Sequence, residues 1–186
     1  QFVYHSLALI NREHCLNLYE TEQVNLTVIP YEKDQFDHRI DERLEIINNA
    51  DIRNKPDQTD DLSKLPYCWV RHQWPPKETP PSGAKWIIMQ PWEFSQLRED
   101  FAEVFKQADE IWTPSNFTRR AYIDSGLDPE KVQVVPNGVN RQLFKPSGDK
   151  YELNTNKKLK FFLYSYCQLR SLGNATNGST ILFSKR

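Results

Sequence analysis

The chain has 186 residues, a formal net charge of −1, five Trp and 12% aromatic side chains. That length suits one domain with a remnant of a second. The near-balanced charge excludes a strong pull toward nucleic acid or an anionic membrane, and the aromatic content excludes a disordered chain. No run approaches the roughly 20 apolar residues of a membrane helix.

Cys15, Cys68 and Cys167 are odd in number and lack CxxC spacing, so they read as reduced thiols in a cytoplasmic protein. His5, His14, His38 and His72 are scattered without ligand spacing, so no metal site is expected. Asn25, Asn116, Asn174 and Asn177 each open a glycosylation sequon, a short pattern that recurs by chance. The chain opens on Gln1 inside a loop entering a helix, and the expectation is that further residues precede it.

Ser6 to Tyr19 is helical in character, with no Gly or Pro. Val24 to Ile29 alternates apolar and polar residues as a strand that Pro30 stops. A short helix is expected around Arg39 to Ile47, followed by a surface loop from Asn54 to Lys64. Tyr67 to His72 and Trp86 to Gln90 read as buried strands, separated by the Pro-rich stretch Trp74 to Gly83. From Gln96 to Gln107 the residues Leu97, Phe101, Val104, Phe105 and Ala108 form one apolar helical stripe.

The segment from Ala108 to Pro146 carries the clearest pattern. It gives a strand (Glu110 to Thr113), a helix capped by Ser115 and running to Ser125, a left-handed stop at Gly126 and a second strand (Lys131 to Val135). Asn137-Gly138 then predicts a tight turn, with Gly138 at positive φ. Strands alternating with helices imply an α/β fold: a parallel sheet covered on both faces and joined by right-handed crossovers. Asn154 to Lys160 reads as a linker and Leu159 to Tyr166 as a new strand. The tail after it is rich in Gly, Asn, Ser and Thr and loses helical periodicity.

Such a fold places ligands beyond the carboxyl ends of its strands. Three places fit. At His5-Ser6 the mouth of a helix could dock an anion, or Ser6 could simply cap it. At Arg71 to Pro76, Arg71 and His72 could bind a sugar hydroxyl or phosphate and Trp74 could stack on a sugar ring. Equally, Arg71 could pair with a local acid and Trp74 could pack under the Pro-rich loop. At Gln90 to Glu93, Trp92 and Glu93 form a plausible carbohydrate-binding pair, against a capping role for Glu93 at the next helix. No P-loop, HExxH or Ser/His/Asp constellation is present.

SLALINREHC, RHQWPP, IIMQPWEF and ADEIWTPSNFTRRAYIDSGLDPEKVQVVPNGV, in this order and spacing, resemble the N-terminal lobe of family 4 (group 1) glycosyltransferases of the GT-B class. The resemblance covers residues 1–146 and implies a Rossmann-like acceptor lobe, a linker at 147–158, and at 159–186 the first strand of a second lobe with an aberrant tail. It implies retaining transfer of a sugar from a nucleotide-sugar donor to a glycan, lipid or small-molecule acceptor. No cofactor, obligatory metal or nucleic acid is implied, and the setting is cytoplasmic or peripheral at the membrane. The substrate-binding residues it points to are His5, Ser6, Arg71, His72, Trp74, Gln90, Trp92 and Glu93, with Asn137 and Gly138 at the interlobe turn.

In the family the second lobe holds the nucleotide through a Lys/Arg pair and the donor sugar through a Glu-x₇-Glu element. Here LKFFLYSY runs into CQLRSLGNATNGST, as a reading-frame shift near Tyr164 would produce. The fragment alone is therefore expected to be inactive. Two other readings stand beside this one: a non-catalytic carbohydrate-binding or interaction module, and an unrelated Rossmann-like nucleotide-binding protein.

Overall fold

The computed structural model describes residues 2–55, 67–76, 83–142, 144–148 and 177–185. They divide into two compact units, one comprising residues 1–137 with 176–186 and the other 138–175. The expected strand at Leu159 to Tyr166 and the loop at 56–64 lie outside the described residues.

In the first unit α1 (Ser6–Glu20) buries Ala8, Asn11, Cys15 and Leu16, the i, i+3, i+7, i+8 face that a helix lays on a sheet. Burial pushes the Cys15 thiol up to about 12. Strand β1 (Val24–Pro30) follows, and then the region expected as one helix breaks in two. Asp37 accepts from the Arg39 N–H and so starts a 3₁₀ turn over His38–Ile40, and Asp41, which ends that turn, accepts from the Arg43 N–H ahead of α2 (Leu44–Ala50).

Beyond these lie β2 (Tyr67–Trp74), β3 (Lys85–Met89), α3 (Glu99–Lys106), β4 (Glu110–Thr113), α4 (Asn116–Asp124), β5 (Val132–Val134) and β6 (Asn177–Lys185). Ser115 caps α4 through its hydroxyl, which accepts from the Thr118 N–H at 3.2 Å. Gly126, at φ 88°, supplies the left-handed residue past the helix end.

The sheet order is β1-β6-β2-β3-β4-β5. Strands β2 to β5 are parallel neighbours, giving the α/β Rossmann-like character. Successive residues point to opposite faces and build two cores. Val70, Ile87 and Met89 join α1, α2 and β1, whereas Trp86, Ile88 and Ile111 join α3 and α4 around the fully buried Phe105.

The tail departs from the sequence expectation. Residues 177–185 form a strand of the first unit's sheet, antiparallel both to β1 (Val24↔Lys185) and to β2 (Trp69↔Leu182). Because β1 and β2 each oppose β6, they run parallel to each other. The carboxyl ends of β1 to β5 therefore share one rim.

In the second unit the described residues 138–142 and 144–148 hold short turns, including Phe144 N–H to the Asn140 carbonyl at 2.8 Å.

Candidate functional site

At the β1 end of that rim His5, not Ser6, is the residue that caps α1. Its Nδ1 accepts from the Ala8 N–H at 3.1 Å, which leaves Nε2 to donate to Glu32 Oε1 at 2.8 Å. Ser6 sits exposed in the first helical turn, so the capping role considered for it belongs to its neighbour. Glu32 lies just past β1, in a loop that Arg53 ties down by bridging Asp34 (2.7 Å) and the buried Asp51 (2.6 Å).

At the end of β2, Arg71 and His72 are brought close in sequence but not in space, since alternation sends them to opposite faces. His72, 1% exposed, faces α1. Its Nδ1 donates to Asn11 Oδ1 at 2.7 Å while the Asn11 amide reaches back to the His72 carbonyl at 3.4 Å. That clasp fixes the proton on Nδ1 and leaves Nε2 as a buried acceptor with no hydrogen-bond partner. Desolvation, then the neighbouring His14 and His5, push its pKa down to about 3, so the ring is neutral at physiological pH.

Arg71 turns the other way, its guanidinium 5.3 Å from the Trp69 ring and 5.4 Å from the Trp86 ring. Burial draws its pKa down and contact with Tyr31 acts against that. The two side chains therefore lie on opposite faces of the sheet, His72 toward α1 and Arg71 among Trp69 and Trp86.

Trp74, the last residue of β2, is 36% exposed. It meets the β3 exit: its ring lies 6.0 Å from that of Trp92 and 5.3 Å, edge on, from that of Phe101. Trp92 is the hub, with Phe94 at 5.6 Å and Phe101 at 6.0 Å, both edge to face. Its indole N–H donates to the Gln96 carbonyl at 2.8 Å, so its contribution outward is apolar.

Gln90 is buried as a strut: its N–H donates to the Trp112 carbonyl (3.1 Å) and its carbonyl accepts from the Tyr122 hydroxyl (3.0 Å). Glu93 is exposed and lies well before α3, whose N-cap is Arg98, so it does not cap that helix. At the far end the boundary between the two units falls between Asn137 and Gly138. No tight turn forms there, and Gly138 is not at positive φ, correcting that expectation.

The rim therefore presents His5, Trp74, Trp92 and Glu93, with His72 beneath it and Gln90 in support. Sequence reasoning missed Asn11 and the aromatic neighbours Phe94 and Phe101. Asn11 was findable, as a polar residue on the apolar face between Ala8 and Cys15. Among the described residues no group of three or more His, Cys, Asp or Glu side chains could hold a metal ion.

Residues 59–143 match the family described as Glycosyltransferase Family 4. This segment, a little under half of the chain, is similar to the family 4 glycosyltransferases. The matched span takes in β2 to β5 and every rim residue from Arg71 to Glu93; His5 and Ser6 fall before it. No curated protein and no solved structure matches the chain. Among the described residues no helix is long and apolar enough to cross a membrane.

Proposed function

We propose that this domain is the acceptor-holding lobe of a retaining glycosyltransferase. A nucleotide-sugar supplies the donor, and a carbohydrate- or lipid-bearing acceptor docks on the carboxyl rim of β2 and β3. The observation that carries this reading is the meeting of Trp74 and Trp92 beside the exposed Glu93, in a segment similar to the family 4 glycosyltransferases. Indole faces cover the C–H surface of a sugar, and a carboxylate accepts from its hydroxyls. His72 lies beneath this surface, held neutral by its Nδ1 bond to Asn11 and with Nε2 buried, so its part is to support the end of β2.

In the full reaction the largest electrostatic demand is the charge building on the departing diphosphate, which positively charged donor-lobe groups would meet. Lobe closure would exclude water and spare the donor from hydrolysis. The residues after Tyr166 contain no Glu and hence no Glu-x₇-Glu element. The chain alone is accordingly assigned binding without transfer, in the cytoplasm or at a membrane surface, and with no obligatory metal.

The test combines saccharide titration by calorimetry with incubation in labelled nucleotide-sugars. Saturable saccharide binding without turnover is expected. Absence of any saccharide binding by the folded protein would remove the acceptor-lobe reading, and robust turnover would remove the assignment of inactivity.

A further inference from the structure

The rim beside Glu93 is more apolar than a sugar ring alone requires. Phe94 is 66% exposed and stands edge to face with Trp92, while Trp74 forms the other flank. Trp92 already has three rings around it and its N–H is committed to Gln96, so the surface it organises offers hydrocarbon and almost no hydrogen bonding.

A patch of this kind attracts an apolar group through the hydrophobic effect, with no directional demand. Its charged surroundings narrow the occupant. Between residues 93 and 100 the exposed charges are Glu93, Glu99 and Asp100 against Arg98 alone. Arg98 is spent on Asp100 at 2.6 Å, with its guanidinium 4.8 Å from the Phe101 ring. An acidic border repels phosphate, sulfate and anionic lipid headgroups.

We propose that Phe94, Trp92 and Trp74 seat the uncharged apolar aglycone of the acceptor, an alkyl or aryl group attached to the sugar that the rim holds. This rests on the acceptor-lobe reading above and narrows its substrate class from carbohydrates in general to neutral alkyl or aryl glycosides. Phe94, which closes the IIMQPWEF motif but was not among the candidate site residues, becomes a specificity residue.

The experiment is a titration of the whole chain, followed by tryptophan fluorescence, with methyl β-glucoside, n-octyl β-glucoside below its micellar concentration, and n-octyl sulfate. Methyl and octyl glucoside are both expected to bind. A buried methylene contributes about 0.8 kcal/mol, so an octyl chain that is only partly covered should tighten binding by roughly tenfold or more. Phe94→Ala should abolish that gain and leave methyl glucoside binding as it was. Leu9→Ala, at an exposed leucine on α1, should change neither affinity.

Equal affinity for methyl and octyl glucoside overturns the aglycone seat and leaves the acceptor lobe standing. Tighter binding of octyl sulfate than of octyl glucoside overturns it in favour of an anionic lipid surface. An octyl gain that survives Phe94→Ala overturns the assignment to this patch. Failure of both glucosides to bind overturns the acceptor-lobe reading together with the seat.

Discussion

His72 makes acid sensitivity a direct probe of how the end of β2 is built. Its pKa is pushed down to about 3, whereas an unfolded-chain histidine titrates near about 6.5. The folded state therefore binds fewer protons than the unfolded state between those values. As pH falls below about 6.5 the unfolded chain takes up the proton first. The stability that this residue contributes is complete above that point and is lost progressively toward pH 3. One proton of difference gives a slope of just over 1 kcal/mol per pH unit, so about 2 kcal/mol should disappear between pH 6 and pH 4.

The control is His72→Asn, whose amide can still donate to Asn11 but carries no titratable ring. Urea unfolding across that pH range should show the variant less stable near neutrality and with a flatter pH dependence. His14, also drawn down by burial, remains in both proteins, so the difference in slope isolates His72. Parallel slopes would mean that the ring is not held neutral against α1, and its role as a buried support for the end of β2 would fall with it.

Other outcomes follow from the packing. Ser115→Ala removes the side-chain cap of α4 and should cost about 1 kcal/mol in denaturant unfolding. Phe105→Ala empties a fully buried ring position in the core under α3 and α4. It should cost roughly 3–5 kcal/mol, against little change for Phe117→Ala, which lies exposed on α4.

Much of this architecture was legible in local pattern. β4 falls where the apolar run Glu110 to Thr113 placed it, and α4 lies within a residue of its predicted span because Ser115 and Gly126 mark both ends chemically. Helix α3 starts later than its apolar stripe suggests, since the Leu97 N–H is taken by the Ser125 hydroxyl instead of entering a helical turn. β6 was not legible. It opens on the turn formers Asn177, Gly178 and Ser179, and what holds it is antiparallel pairing to strands more than a hundred residues away in sequence.

The site divides in a similar way. Strand-end logic led to Trp74 and Trp92, and the structure places them in contact. The separation of Arg71 from His72 follows from strand alternation and was readable in the sequence. The aromatic cluster around Phe94 and Phe101 depends on how the β3 exit folds back over α3, which periodicity does not encode.

The central claim is that the shared rim of β2 and β3 receives a saccharide. Indole N–H resonances of the five Trp, followed by NMR during titration with a saccharide, address it most directly. Trp74 and Trp92 should shift together and saturably, while Trp69 and Trp86, on the Arg71 side of the sheet, stay in place. Shifts confined to Trp69 and Trp86, or no shift at any indole, would contradict the account.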